Sequence, residues 1–464
     1  MQGGIAGVVR GAAIYATLTQ ANTIMTRGGV NSRRRAVVLL VFLVLCPLSS
    51  VAATVATSDL RIDYPISSPY YPVILRGAQL APLLGAARDR IAAYVRHGDR
   101  FTAIPLQIDR RDAQGQLLLD AAMPAALTRD DRFNAQDECV FMAGDLGERG
   151  ALPVTQLRPD RIVAVELHDP KSAQQAWVYL LVLPAPVSAA GGYVRYQPDS
   201  DALESDTYRL AFSQQMPMLA DSVQWFDPAL QGYGSNVLDV MKIRHAGRFL
   251  GGFTFRRGVE DYRSVLVGTR VGPVRVIRRT ENSIRVFLGL RSPTITVDYI
   301  GYAQAILADI RLKVPFRNDW FFSALESVTT WDGNDGPDYP AGTVYSRSAP
   351  DGFPIEGHMN AAKLRFNASS DGAFALVNKY GTLLVTMDFP VSEPIKHQVY
   401  VMDDRTALDP PENIPGQFGN IGFRMTGWEK LARGTHHLTY RAMLISDVTV
   451  QQGLRLLEEA PTFY

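Results

Sequence analysis

The stretch SVLVGTRVGPVRVIRRTENSIRVFLGL, Ser264 to Leu290, decides the fold class of this chain. Its apolar and β-branched residues recur at short alternating intervals, and Gly272–Pro273 and Glu281–Asn282 supply turn chemistry between the runs. A strand, a turn, a second strand, a polar turn and a third strand leave little room for helices. This segment predicts an antiparallel meander.

The pattern continues downstream, where TITVDYIGYAQAILADIRLKV gives two longer β runs. Residues 206–464 are therefore predicted to form one large antiparallel β-sandwich, or supersandwich, domain. A few short helices are predicted within it, over MPMLADSVQWF, DWFFSALESVTTW and GWEKLA.

The upstream region also indicates strands, in YPVILRG, RIAAYVRHG, RFTAIPLQID, RIVAVELHD and AWVYLLVLP. We expect residues 57–188 to form an N-terminal β-sandwich module. Residues 189–205, with PAPVSAAGG just ahead of acidic DSDALESD, are expected to be a linker. The predicted class is mainly β, with a sandwich module followed by a larger sandwich.

The start of the chain has the pattern of an export signal. Arg33–Arg35 precede the apolar run AVVLLVFLVLCPL and the small residues SSVAATVA, which is the order of a secretory signal peptide. We expect a signal peptide over residues 1–56, with Met25 as an alternative start, and a periplasmic or secreted mature protein. The apolar run is shorter than the roughly 20 residues of a membrane span, so no stable span is expected after cleavage.

The composition of the mature chain limits the classes of partner that we expect it to bind. The chain has 464 residues, of which 47% are hydrophobic and 20% charged, as in globular proteins. The first 52 residues hold five arginines, no lysine and no acid, which leaves 42 basic and 46 acidic residues in the rest. Without a basic run, nucleic acid is not an expected partner.

The cysteine count bears on both stability and chemistry. Cleavage would remove Cys46 and leave Cys139 alone, so no internal disulfide is expected. Cys139 lies in a short apolar run without a histidine nearby, and free cysteine is often buried. We interpret Cys139 as a packing residue rather than a nucleophile.

An acidic loop, WDGNDGPD, is a candidate calcium site through Asp332, Asn334, Asp335 and Asp338. It opens like a calcium-binding loop, but Thr343 stands where the closing glutamate should be. The alternative is a plain Gly/Asp turn. No other cofactor is expected, because no Walker, dinucleotide-binding glycine, nucleophile-elbow, zinc or haem motif is present.

Several residues of the larger domain have side chains suited to a substrate site. His245 is a candidate general base because imidazole titrates near neutral pH, and Tyr299 is an aromatic with a polar tip. Arg244 and Arg275 belong to an arginine-rich stretch that can hold carboxylates or phosphates. The alternatives are a satisfied core histidine, an ordinary strand tyrosine, and a solvated face on which arginines pair with acids.

Several stretches carry a resemblance to known proteins. AIPLQIDRRD (Ala103–Asp112) and DDRFNAQDECVFMAGDLG (Asp130–Gly147) resemble two successive strands of secreted bacterial, carbohydrate-associated β-sandwich proteins. GPVRVIRR (Gly272–Arg279), FGNIGF (Phe418–Phe423) and the G-x-H-x-L pattern from Gly434 are similar to large supersandwich domains.

The resemblance implies an exported β-rich protein that binds or processes carbohydrate in a cleft of the larger domain. Polysaccharide lyases of similar architecture use a Tyr, His or Lys base, with an Arg or Ca²⁺ on the uronate carboxylate. His245 or Tyr299 would then be the base, and Arg275 with Arg244 would bind the anion, which requires that they share a pocket. The alternative is a non-catalytic envelope scaffold or assembly protein, whose partner is another envelope protein.

Overall fold

The computed structural model describes most of the chain from residue 56 onward, so the predicted signal, apart from Ala56, lies outside the described residues. The described ranges are 56–120, 131–187, 191–287, 289–334, 342–390, 392–408, 418–445 and 449–458. Strands dominate them, so the prediction of a mainly β fold with few short helices is confirmed.

Among the described residues before 188, the chain forms eight strands and one short helix. They are β1 Ala56–Asp63, β2 Pro72–Arg76, β3 Ile91–His97, β4 Arg100–Ile104, β5 Gln107–Asp109, β6 Glu138–Met142, α1 Val154–Leu157, β7 Arg161–His168 and β8 Gln175–Val182.

These strands form two sheets around a core of their own. One sheet has the order β1-β7-β8-β3-β4, with β1 parallel to β7, and the other has the order β2-β6-β5. Val73 and Leu75 of β2 are buried with Val163 and Leu180 of the first sheet. Cys139 of β6 belongs to the same core and is fully buried, as expected for a packing residue.

Twenty strands and two helices follow in the described ranges after residue 190. They are β9 Val194–Gln197, β10 Ala202–Ser205, β11 Tyr208–Phe212, β12 Ala220–Asp227, β13 Gly232–Tyr233, β14 Leu238–Phe249, β15 Thr254–Arg257, β16 Tyr262–Val271, β17 Val276–Phe287, β18 Leu290–Arg291, β19 Ile295–Gly301, β20 Ala305–Val314, β21 Phe322–Gly333, β22 Thr343–Tyr345, β23 Phe353–Pro354, α2 Ala361–Asn367, β24 Ala373–Asn378, β25 Gly381–Asp388, β26 Lys396–Met402, β27 Asn420–Thr426, β28 Gly434–Ile445 and α3 Val450–Glu458.

Three sheets arise from these strands. Sheet A has ten strands, in the order β16-β17-β19-β20-β28-β25-β24-β22-β23, with β18 beside β17. Sheet B has the order β15-β14-β21-β27-β26, and sheet C has the order β13-β12-β11-β10-β9. Ile243 of sheet B, Val276 of sheet A and Trp225 of sheet C share the largest hydrophobic core.

Sheet A is buried on both of its faces over part of its area. Val276 of β17 contributes to the core shared with sheets B and C. The next residue, Ile277, instead packs with Val140 and Met142 of the N-terminal module and with Leu454 of α3. Successive strand residues point to opposite faces, so the neighbours Val276 and Ile277 are both fully buried, one on each side of sheet A.

Parts of the predicted layout differ from the structure. The segment 189–205, expected to be a linker, contributes β9 and β10 to sheet C because Val194 and Leu203 are buried. MPMLADSVQWF and DWFFSALESVTTW, expected to be helices, instead supply β12 and β21. GWEKLA forms only a 3₁₀ turn at Trp428–Lys430.

Candidate functional site

Arg275 lies in a buried ionic cluster between the N-terminal module and sheet A. Its Nε is 2.8 Å from Oδ2 of Asp109, and its Nη2 is 2.7 Å from Oε2 of Glu138. Oε1 of Gln107 accepts its backbone N–H at 2.9 Å. Burial by itself would raise the pKa values of Asp109 and Glu138, but the guanidinium groups, Arg275 foremost, outweigh it and hold both below their ordinary values.

This cluster gives a structural role to polar residues in two of the stretches on which the resemblance rests. Gln107 and Asp109 come from AIPLQIDRRD, Glu138 comes from DDRFNAQDECVFMAGDLG, and all three face Arg275. The side chain of Arg275 is only 2% exposed. The predicted anion-binding arginine is therefore occupied by protein carboxylates.

Arg244 and His245 are neighbours on β14 and point to opposite faces of sheet B. Nη2 of Arg244 donates to Oγ1 of Thr330 at 2.5 Å. His245 follows Met241 and Ile243, which face the core between sheets, and its Nε2 lies 2.6 Å from the hydroxyl of Tyr262. Burial lowers the pKa of His245 to about 4, so its imidazole is neutral at neutral pH.

Tyr299 also belongs to the core between the sheets. Its hydroxyl donates to the backbone carbonyl of Met218 at 2.5 Å, and its ring lies 4.8 Å from the ring of Phe212. Burial raises the pKa of Tyr299 to about 12. A protonated, satisfied hydroxyl in a packed core suits a structural role.

The structure does not bring the predicted base and anion-binding residues to one pocket. Tyr299 pairs in register with Arg278 and shares its side of sheet A. Arg275, by contrast, contacts Tyr302 and the N-terminal module, which pack on the other side. His245 and Tyr299 share the inner core, whereas Arg275 and Arg244 lie outside it.

The predicted calcium loop is described only in part. Asp335 and Asp338 lie outside the described residues. Oδ2 of Asp332 is 2.9 Å from the ammonium of Lys242, and burial raises the pKa of Asp332 to about 6. Asn334 donates its backbone N–H to the carbonyl of Val237. Within the described ranges, no group of three or more His, Cys, Asp or Glu residues is placed to hold a metal ion.

An open groove on sheet B, at the end where β14 turns into β15, is a candidate binding site. Its volume is about 590 Å³. It is lined by four cationic side chains, two carboxylates, two threonines and one aromatic ring, among other residues: Arg248, Arg256, Lys396, Lys430, Glu326, Glu429, Thr254, Thr426 and Phe255.

The groove is shaped by a close approach of two strands and a turn. A Cβ on Gly247 would lie 2.5 Å from the ring of Phe255, so glycine lets that ring lie across β14. Glu429 accepts the backbone N–H of Leu325 at 3.1 Å, which fixes the turn after β27 against β21. Glu326 is 3.6 Å from Arg424.

Two of the lining cations, Arg248 and Arg256, lie between Arg244 and Arg275 in the arginine-rich stretch. Lys396 and Lys430 come from segments more than 130 residues downstream. Period-two alternation does put Arg248 on the same face of β14 as Arg244. The partner strands could be identified only from the sheet order.

No helix of the described residues is long and apolar enough to cross a membrane.

Comparisons with known proteins give only distant likenesses. No family model matches the chain, and no curated protein matches it. Among solved structures, it is similar to an alpha-mannosidase from Enterococcus faecalis V583, with 10% identity and a TM-score of 0.34 over 79% of this chain and 45% of that one. It is also similar to a beta-arabinopyranosidase, with 9% identity and a TM-score of 0.26 over 54% of this chain and 40% of that one.

The chain thus spans less than half the length of either of these structures. With identities and TM-scores this low, neither protein's activity can be transferred to this chain.

Proposed function

We propose that this protein is exported and binds an anionic carbohydrate in the groove on sheet B. The observation that carries the proposal is the charge of the groove's lining, which contains four cationic side chains and two carboxylates. One of those carboxylates, Glu429, already accepts a backbone N–H, and the other, Glu326, lies near Arg424. The remaining positive charge favours an anionic ligand.

The chemistry of the lining suits a sugar acid in particular. Guanidinium groups such as those of Arg248 and Arg256 bind a carboxylate bidentately. Threonine hydroxyls both donate and accept, as sugar hydroxyls require, and Phe255 offers an apolar surface. A volume of about 590 Å³ lies within the range typical of small-molecule sites. We therefore propose an oligosaccharide containing uronic acids as the ligand class.

Binding without turnover is the form of the proposal that the geometry favours. The base and anion-binding residues expected from the sequence lie on different faces of their sheets, and Arg275 is paired with Asp109 and Glu138.

Export rests on the order of basic, apolar and small residues in Arg33–Ala56. A scaffold that holds envelope components is the second candidate, favoured by the same separation of the catalytic candidates.

The test is thermal unfolding and calorimetric titration with an oligouronate and with a neutral oligosaccharide of the same length. At about 100 times its Kd, a ligand that binds only the folded state stabilises it by about 2.7 kcal/mol. We expect the oligouronate to raise the unfolding temperature and the neutral sugar to have a smaller effect.

Matched variants locate the site. Arg248→Gln combined with Arg256→Gln should weaken oligouronate binding by about tenfold or more, because two charge-assisted contacts are lost. Arg100→Gln, an exposed arginine of the N-terminal module, should leave it unchanged. Absence of binding by any sugar would overturn the proposal and favour the scaffold, and equal binding by both variants would place the ligand elsewhere.

A further inference from the structure

A second surface beside the groove is apolar and exposed. Five side chains form it, and we call them the aromatic tip: Leu250, Phe253, Phe316, Trp320 and Phe321. Phe253 is 77% exposed and Trp320 62% exposed. Soluble monomers rarely leave large apolar side chains clustered in water unless they contact a partner or a membrane.

The aromatic tip is a defined structure rather than a set of loose side chains. The backbone N–H of Leu250 donates to the carbonyl of Phe321 at 3.0 Å, which ties the β14–β15 turn to the segment before β21. Phe253 closes that turn, since its carbonyl accepts the N–H of Phe249 at 2.8 Å. Phe316 and Phe321 have ring centroids 5.0 Å apart.

Packed rings, tilted against one another, support the tip from beneath. The ring of Phe249 lies 5.1 Å from that of Phe255 and 5.0 Å from that of Phe322. Phe322 in turn lies 6.4 Å from Phe321. The exposed rings thus rest on a packed aromatic base, so they are held outward.

Basic residues surround the tip. Three segments meet there, at residues 248–256, 313–323 and 428–433, because Asn318 donates to the carbonyls of Leu431 and Trp428. These segments carry six exposed cations: Arg248, Arg256, Lys313, Arg317, Lys430 and Arg433. Their acids are Asp319, which pairs with Arg317, and Glu429, which accepts the N–H of Leu325.

From this geometry we infer that the aromatic tip docks on the surface of an anionic lipid bilayer. Aromatic rings favour the boundary between headgroups and acyl chains, and nearby Lys and Arg are attracted to anionic headgroups. A second copy of this chain fits less well, because a two-fold contact through the tip would bring the two sets of cations together. Arg248, Arg256 and Lys430 also line the groove, whereas none of the five side chains of the aromatic tip does.

Trp320 gives a direct readout of docking. It is the exposed tryptophan of the five in the chain, while Trp177, Trp225, Trp331 and Trp428 are buried or half-buried. On mixing with phosphatidylglycerol vesicles we expect a blue shift of tryptophan emission, together with co-sedimentation of the protein. Phosphatidylcholine vesicles should bind more weakly, and added salt should weaken the binding to phosphatidylglycerol.

Variants assign the contact to the tip. Phe253→Ser combined with Trp320→Ser should reduce partitioning by about tenfold to a hundredfold, given the apolar area that two such rings bury. Leu364→Ser, which removes a 60% exposed leucine from α2, should not reduce it. The tip variant should also keep the oligouronate affinity of the parent, so a failure here is distinguishable from a failure of the groove.

Three results would overturn the inference. They are an absence of partitioning to phosphatidylglycerol, equal partitioning by the parent and the Phe253/Trp320 double variant, and a protein dimer in vesicle-free solution that the double variant converts to a monomer. The last would assign the aromatic tip to a second copy of this chain.

Discussion

Nε of Arg275 lies 2.8 Å from Oδ2 of Asp109, and this contact joins two points of the chain 166 residues apart. Asp109 ends β5 of the N-terminal module, while Arg275 immediately precedes β17 of sheet A. Glu138 takes a second N–H of the same guanidinium. The contact between the module and sheet A therefore combines a buried ionic cluster with apolar packing.

Replacing Arg275 should destabilise the whole protein. In Arg275→Met, Asp109 keeps Arg270 and Glu138 keeps Arg111, but each loses its most buried partner. Breaking a buried ion pair from one side typically costs about 3–5 kcal/mol. We expect a loss of this size in the free energy of unfolding, measured by urea denaturation with circular dichroism.

The control for this variant is Arg248→Gln, which alters an exposed arginine and should change the free energy of unfolding by less than about 0.5 kcal/mol. An Arg275→Met protein as stable as the parent would show that the cluster does not hold the module on sheet A.

The sequence predicts the class of this fold but only part of its strands. Alternation of period two is a local signal, so it predicts the β class and strands such as β7, β8 and β20. The segment DWFFSALESVTTW was wrongly predicted to be a helix because its apolar residues also fit helical spacing. In the structure, Trp320 and Phe321 of this segment are exposed at the aromatic tip. The predicted linker, residues 189–205, has too few apolar residues for strands β9 and β10 to be predicted from its sequence.

The site was harder to predict than the fold class. Alternation within a strand does separate the neighbours Arg244 and His245, but it does not show which strands pair. The separation of Arg275 from Tyr299 depends on the register of β17 with β19, in which Arg278 pairs with Tyr299. Register and sheet order are tertiary properties, and no local pattern in this sequence encodes them.

Cys139 should be unreactive in the folded protein. Its side chain is fully buried, and burial raises the pKa of the thiol, with Asp137 and Glu138 adding to the effect. Thiolate is the reactive form, so alkylation by iodoacetamide should require unfolding. A Cys46→Ser protein leaves Cys139 as the single thiol, and intact mass should show labelling in urea but not in buffer. Rapid labelling under native conditions would contradict burial.

Calcium should not stabilise the protein through Asp332. The ammonium of Lys242 lies 2.9 Å from this carboxylate. It therefore already compensates the carboxylate's negative charge when no cation has been added. We expect the unfolding temperature to be the same in EDTA and in about 1 mM Ca²⁺, a concentration that fills weak extracellular sites. A Ca²⁺-dependent rise that Asp335→Asn abolishes would establish a site in this loop after all.

Protonation of His245 should make the protein less stable in mild acid. Burial lowers the pKa of His245 from an ordinary 6.5 to about 4. Between these two values the unfolded chain binds more protons at this residue than the folded chain does, so the free energy of unfolding falls as the pH falls. Because the side chain is only partly buried, we expect a loss of about 1–2 kcal/mol between about pH 7 and pH 5.

His245→Gln keeps a polar partner for Tyr262 without titrating, so its urea-denaturation free energy should depend less on pH, whereas His97→Gln, at an exposed position, should match the parent. Equal pH slopes for the parent and His245→Gln would show that this imidazole is not the group responsible.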